Sequence, residues 1–219
     1  MIGFYNYTVI LTYISLLISS AGIGLAASGH LYGALLCLLA SGVCDLFDGA
    51  IARTRKKSSA EEKRFGIQID SLCDLVCFGV LPAAVGIRLV ASATLLNRAV
   101  VWGLGGLYIL CALIRLAYFN VTEETRQSTE TGRRTHYQGV PVTTAAMIFP
   151  LTFCVAELVS SPGSPIAALA PWLYPLLLLV TAIAFITPVQ VRKPHKTGIV
   201  IMGVIGVCEI ALMAFLLAR

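Results

Sequence analysis

The chain has 219 residues, 58% of them hydrophobic and only 12% charged, with a mean hydropathy of +0.86 and a formal net charge of +5. A soluble domain is roughly half apolar and a quarter charged, so this composition excludes a water-soluble globular protein and makes the bilayer the natural solvent. Nucleic acid is not expected as a partner.

The start, Met1 to Tyr7, lacks a basic segment and no cleavage site follows, so the first apolar stretch is expected to be a permanent span. A crossing helix needs about 20 mostly apolar residues. Stretches 8–28, 31–53, 67–92, 98–119, 140–160, 166–187 and 198–217 qualify. They predict an all-α, polytopic transmembrane bundle of about seven spans, with six to eight possible, forming one integral-membrane domain over 1–219. Pro171 and Pro175 predict a kink or a late start in the sixth span. No strand alternation is seen, and the linkers are short except 54–66 and 120–139. The seven cysteines, Cys37, Cys44, Cys73, Cys77, Cys111, Cys154 and Cys208, all fall in apolar stretches and read as small packing residues.

Basic residues set the orientation. Arg53, Arg55, Lys56, Lys57, Lys63 and Arg64 surround the loop after the second stretch. Arg115, Arg126, Arg133 and Arg134 surround the loop after the fourth, and Arg192, Lys193 and Lys196 follow the sixth. Only Arg88, Arg98 and Arg219 belong to the opposite side. The positive-inside rule then places the first three groups in the cytoplasm, with the N-terminus. A bacterial-type inner (cell) membrane is expected.

Acids inside spans are costly and usually functional. Asp45 and Asp48 lie near the cytoplasmic end of the second stretch, spaced i,i+3. Asp70 and Asp74 lie near the start of the third, spaced i,i+4. Each pair shares one helix face. An antiparallel hairpin through 54–66 would bring all four to one depth. Singly, such acids are often caps or members of an ion-pair network. Four together repel and call for cations or protons. Hard carboxylate oxygens suit Mg²⁺ or Mn²⁺ in sites shared with substrate phosphates. Gly49 and Ala52 clear space beside the acids, for a bulky ligand or for close helix packing, and Arg53 can meet a diphosphate bidentately.

These residues stand as Asp45-Leu-Phe-Asp48-Gly49-Ala-Ile-Ala52-Arg53, then Gly66-Ile-Gln-Ile-Asp70-Ser-Leu-Cys-Asp74. The array resembles the signature of the CDP-alcohol phosphatidyltransferase family, D-x₂-D-G-x₂-A-R followed by G-x₃-D-x₃-D. The spacer from Thr54 to Phe65 is longer than that family's usual one and is expected to make a longer cytoplasmic hairpin. The resemblance implies Asp45, Asp48, Asp70 and Asp74 as ligands of Mg²⁺ or Mn²⁺, two ions in all, with Asp74 also the general base. It implies Gly49, Ala52, Arg53 and Gly66 around the CDP-lipid, and a homodimer; Gly103, Gly106, Gly203 and Gly206 would allow close helix contacts.

Three further stretches resemble the family's serine-using branch: DSLCDLVCFGVLPA (70–83), IRLAYFN (114–120) and YQGVPVTTAA (137–146), the second with Tyr118 in place of an Arg and the third departing at Val142-Thr143. The KPHK stretch (193–196) adds a fourth. The implied reaction transfers a phosphatidyl group from CDP-diacylglycerol to L-serine and releases CMP. Arg115 would hold the serine carboxylate, or else reach out to the headgroups, and Asn120 would assist. Glycerol 3-phosphate or an inositol phosphate are alternative acceptors. A transporter of ions or solutes is a further alternative, but neither internal repeats nor broken midplane helices are found.

Overall fold

The computed structural model describes residues 3–4, 6–52, 54, 59–91, 93–129, 136–160, 167–192 and 196–218. Helices α1 (Ile10–Ala27) and α2 (Leu31–Ala52) form a tight hairpin. A Cβ built on Gly22 would lie 2.8 Å from the Cys37 Cβ, so the glycine sets how closely the two helices approach. Helix α3 (Ala60–Asp74) runs through a π-helical stretch, Leu75–Val80, into α4 (Leu81–Leu89). Helix α5 (Leu95–Thr129) is the longest element. Strand β1 (His136–Gln138), α6 (Ala145–Val159), α7 (Ala170–Ile186), β2 (Gln190–Arg192) and α8 (Lys196–Ala218) complete the chain.

Among the described residues, six helical segments are long and apolar enough to cross a membrane, and α7 is a further, shorter apolar helix of 17 residues. The expected helical membrane bundle is therefore what the chain forms. The sixth span does begin late: Pro171 sits in the first turn of α7, where its missing N–H costs nothing.

Pro82 shapes the widened turn below the acids. It has no N–H to offer the Phe78 carbonyl four residues back. The Tyr108 hydroxyl of α5 donates to that carbonyl instead, at 2.5 Å. Tyr108 stacks edge-on with Phe149 of α6, ring centroids 5.4 Å apart, and Phe149 meets Tyr174 of α7 at 5.0 Å. This buried aromatic column ties α5, α6 and α7 together and fixes where α4 sits against them.

Three expectations need correction. The 54–66 segment is not all loop: Ser59 caps α3, accepting from the Glu62 N–H while the Glu62 carboxylate accepts from the Ser59 N–H. The third span accordingly begins before 67, and the extra residues of the spacer go into helix. The 120–139 segment is helical to Thr129, because polarity marks where a helix leaves the lipid, not where it stops. Among the described residues there are two three-residue strands where none was expected. They pair antiparallel, His136 with Arg192 and Gln138 with Gln190. This ladder joins the segments following α5 and α7, so those two helices end on the same side of the bundle.

Candidate active site

The α2–α3 hairpin brings the acids together as the spacing requires. Asp45, Asp70 and Asp74 each present a carboxylate oxygen within 4.8 Å of the other two, all three half-buried. Asp48 lies beside them, within hydrogen-bonding reach of Asp70. Three carboxylates so close, with only hard oxygen donors, suit a divalent cation of the Mg²⁺ class. Gly49 is half-buried in α2, one residue past Asp48. A Cβ added at Gly66 would meet nothing within 4 Å, so this glycine leaves open space one turn before Asp70 and does not serve close packing. Ala52 lies in the last turn of α2. Arg53, Arg133, Arg134 and most of the KPHK stretch lie outside the described residues.

Beneath the acids, α1 supplies a polar floor. Ser19 and Ser41 hydroxyls are 2.7 Å apart, and Ser15 lies 3.4 Å from the Cys77 sulfur. The Cys73 thiol donates to the Thr12 carbonyl and stands 3.5 Å from Cys77. Both cysteines are buried, as packing residues would be, yet they also satisfy polar groups close to Asp74, Cys73 directly before it and Cys77 about one turn after it. Sequence reading missed this role, because nothing local in a serine on α1 shows that it faces α3.

Helix α5 closes the site from another side. Asn120 donates to the Ser71 hydroxyl at 2.8 Å, which places Asn120 next to Asp70 in the chain of contacts. Above that level α3 and α5 both run on, joined by an Arg64–Glu124 ion pair at 3.1 Å. That pair is exposed, worth at most about 1 kcal/mol. Deeper on α5, Arg115 is only 6% exposed. Its guanidinium donates to the Val140 carbonyl at 3.2 Å and the Gly139 carbonyl at 3.4 Å, and lies over the Phe119 ring. The side chain turns into the protein and does not reach outward to headgroups.

Gly139 permits this arrangement. Its φ of +79° is in the left-handed region, and an added Cβ would lie 3.0 Å from Arg115 Nε and 3.2 Å from the Phe185 carbonyl. The Gly139 N–H donates to the Val189 carbonyl at 2.6 Å. Arg115 therefore braces the turn between β1 and α6 against α5 and α7.

Comparison with known proteins agrees with this geometry. The family model for CDP-alcohol phosphatidyltransferase matches residues 5–187. The chain is 36% identical over 119 residues to CDP-diacylglycerol–serine O-phosphatidyltransferase of Saccharomyces cerevisiae, covering 53% of this chain and 40% of the yeast protein. It is 34% identical over 151 residues to archaetidylserine synthase of Methanothermobacter thermautotrophicus, covering 66% and 59%. It is 30% identical over 148 residues to CDP-diacylglycerol–serine O-phosphatidyltransferase of Helicobacter pylori, covering 67% and 56%. The matches thus span about half the length of these relatives. No solved structure matches the chain. With the family model covering most of the chain and the acid array assembled on α2 and α3, this protein belongs to the CDP-alcohol phosphatidyltransferase family.

Proposed function

We propose that the protein transfers the phosphatidyl group of CDP-diacylglycerol to the hydroxyl of L-serine, releasing CMP and forming phosphatidylserine. The observation that carries this reading is the convergence of Asp45, Asp70 and Asp74, in a chain whose relatives are named for serine transfer. Those relatives do not favour glycerol 3-phosphate or an inositol phosphate, and the family membership sets a transporter aside. The test is purified protein with CDP-diacylglycerol and a panel of alcohols, CMP release being the readout. Serine should be turned over well ahead of the other acceptors; a clear preference for glycerol 3-phosphate would overturn the assignment.

In this reading Asp45, Asp48, Asp70 and Asp74 hold Mg²⁺ or Mn²⁺, two ions in all. When bound, such cations neutralise the diphosphate and stabilise the departing CMP. Gly49, Ala52 and Gly66 leave room for the CDP moiety, and Arg53 pairs with its phosphates. Asp74 accepts the proton of the serine hydroxyl, so that the oxygen attacks the phosphatidyl phosphorus as the bond to CMP breaks. Arg115 and Asn120 orient serine through its carboxylate.

The Arg115 assignment has a measurable consequence. Arg115→Ala should raise the serine KM roughly 10- to 150-fold, the worth of a charge-assisted hydrogen bond of about 1.5–3 kcal/mol, with CDP-lipid affinity nearly intact. Arg115→Lys should recover only part of it. Because Arg115 also braces Gly139 and Val140, the informative comparison is KM for serine against KM for the CDP-lipid. If the two rise together, Arg115 holds the fold and does not bind serine.

The basic loops support an active site facing the cytoplasm of an inner (cell) membrane. Glu61 is exposed in the first turn of α3. A Glu61→Cys variant, in a background whose native cysteines do not react, should be protected from an impermeant thiol reagent in intact cells. Ready labelling from outside would invert the orientation. A homodimer is also proposed. It is supported by Gly103, Gly106, Gly203 and Gly206, where an added Cβ would meet nothing within 4 Å of this chain, leaving room for a second copy.

A further inference from the structure

The acids of α3 lie between two anchored stretches of chain. On one side α3 is tied to its neighbours: Asn120 donates to the Ser71 hydroxyl, and the Cys73 thiol donates to the Thr12 carbonyl. On the other side α4 is locked in the core. Leu81, Ala83 and Val85 are at most 1% exposed, and a Cβ built on Gly86 would lie 2.8 Å from a methyl of Leu178 on α7. Between these anchors the chain spends one residue more than an α-helix needs. The Leu81 N–H bonds to the Val76 carbonyl, five residues back instead of four. An α-helix turns by roughly 100° per residue. Closing Leu75–Val80 into α-helix would swing Asp74 by about that angle against α4, and so out of the group it forms with Asp45 and Asp70.

Two buried hydroxyls bond to this stretch and its exit. The Phe78 carbonyl lies within it, and Pro82 denies that carbonyl its α-helical donor. Tyr108 of α5 donates to it instead. The Tyr174 hydroxyl of α7 donates to the Pro82 carbonyl at 3.2 Å. Both tyrosines are at most 1% exposed. A phenylalanine at 108 would keep the ring contacts with Phe149 and Phe185. What the tyrosine adds is the bond to the widened turn.

We propose that Tyr108, seconded by Tyr174, is a positioning residue for the reaction: its hydroxyl keeps the widened turn open and thereby aims Asp74 at the acceptor hydroxyl. The inference rests on the proposed function and adds to it how α5 and α7 set the reach of the proton acceptor. Asp70 depends on the turn less, because Ser71 directly after it is held by Asn120. Loss of the Tyr108 hydroxyl should therefore harm proton transfer more than CDP-lipid binding. A misplacement of about 1 Å can cost on the order of a hundredfold in rate.

The test uses the full-length protein with CDP-diacylglycerol, serine and Mg²⁺. Tyr108→Phe should lower kcat about ten- to fiftyfold, while the KM for CDP-diacylglycerol stays within about twofold of the parent. In an Asp74→Asn background the same change should cost less than about twofold, since no base is left to aim. Equal losses in the two backgrounds would show a general structural role and overturn the proposal. So would a KM for CDP-diacylglycerol that rises as steeply as kcat falls, or a kcat within about twofold of the parent. If Tyr108→Phe does not accumulate as folded protein, Tyr174→Phe carries the same comparison at the neighbouring anchor, with a loss of about three- to tenfold expected and an unchanged kcat overturning the proposal. Asp74→Asn by itself separates the two ideas. Near-normal turnover in that variant defeats the proposed base, whereas a large loss there, with Tyr108→Phe additive to it, defeats this inference alone.

Discussion

Asp74→Asn is expected to keep CDP-diacylglycerol binding yet lose about 10²- to 10⁴-fold in kcat, the usual worth of a general base. Asparagine keeps the size of the side chain and one ligand oxygen but cannot accept the serine proton. Asp45→Asn should behave differently, losing metal-dependent nucleotide binding as well as turnover. The contrast has a basis in the fold. Asp45 enters the site from α2, while Asp74 is the last residue of α3, where the helix widens over Leu75–Val80. Wide turns of this kind recur at functional sites. The measurement is CDP-lipid affinity alongside turnover for each variant. If Asp74→Asn loses binding as severely as Asp45→Asn, Asp74 is chiefly a ligand. If its turnover is near normal, the base lies elsewhere.

Removal of divalent metal is expected to abolish turnover, with EDTA leaving less than about 1% and Mg²⁺ or Mn²⁺ restoring it. The cluster itself supplies the reason. Two ionised carboxylates at the 4.8 Å limit seen for Asp45, Asp70 and Asp74 repel by roughly 3–4 kcal/mol at an effective dielectric near 20. A third compounds this, and a diphosphate brought to the same place would add more. Serine-dependent CMP release at the full rate in thoroughly chelated buffer would contradict the metal assignment.

The acid site was legible because helix periodicity is local. Spacings of three and four residues put Asp45 with Asp48 and Asp70 with Asp74, and a hairpin is the simplest way to join the two helices. The start of α3 was also written in the chain, as Ser59 followed by Glu62. It was masked by the charge of the segment, which reads as a loop when helices are sought by hydropathy. The polar end of α5 was misread for the same reason; its Glu123–Arg126 pair, at 2.6 Å, is an i,i+3 helix contact.

Other features had no local signal. The β1–β2 ladder joins residues more than fifty apart in three-residue strands, too short for any alternation to show. That Arg115 would spend donors on Gly139 and Val140 depends on how α5, α6 and α7 pack, as does the placing of Asn120 against Ser71. Glu209 of α8 passed unnoticed as a single acid in an apolar run. It is 2% exposed, with both carboxylate oxygens lacking a hydrogen-bond partner among the described residues.

The most direct test of the central claim follows the serine itself. Purified protein would be given CDP-diacylglycerol, Mg²⁺ or Mn²⁺ and isotope-labelled L-serine, and both products measured by mass spectrometry. The account predicts labelled phosphatidylserine and CMP in equal amounts, with neither formed by the Asp74→Asn variant above its residual rate. CMP released without label entering lipid would contradict it.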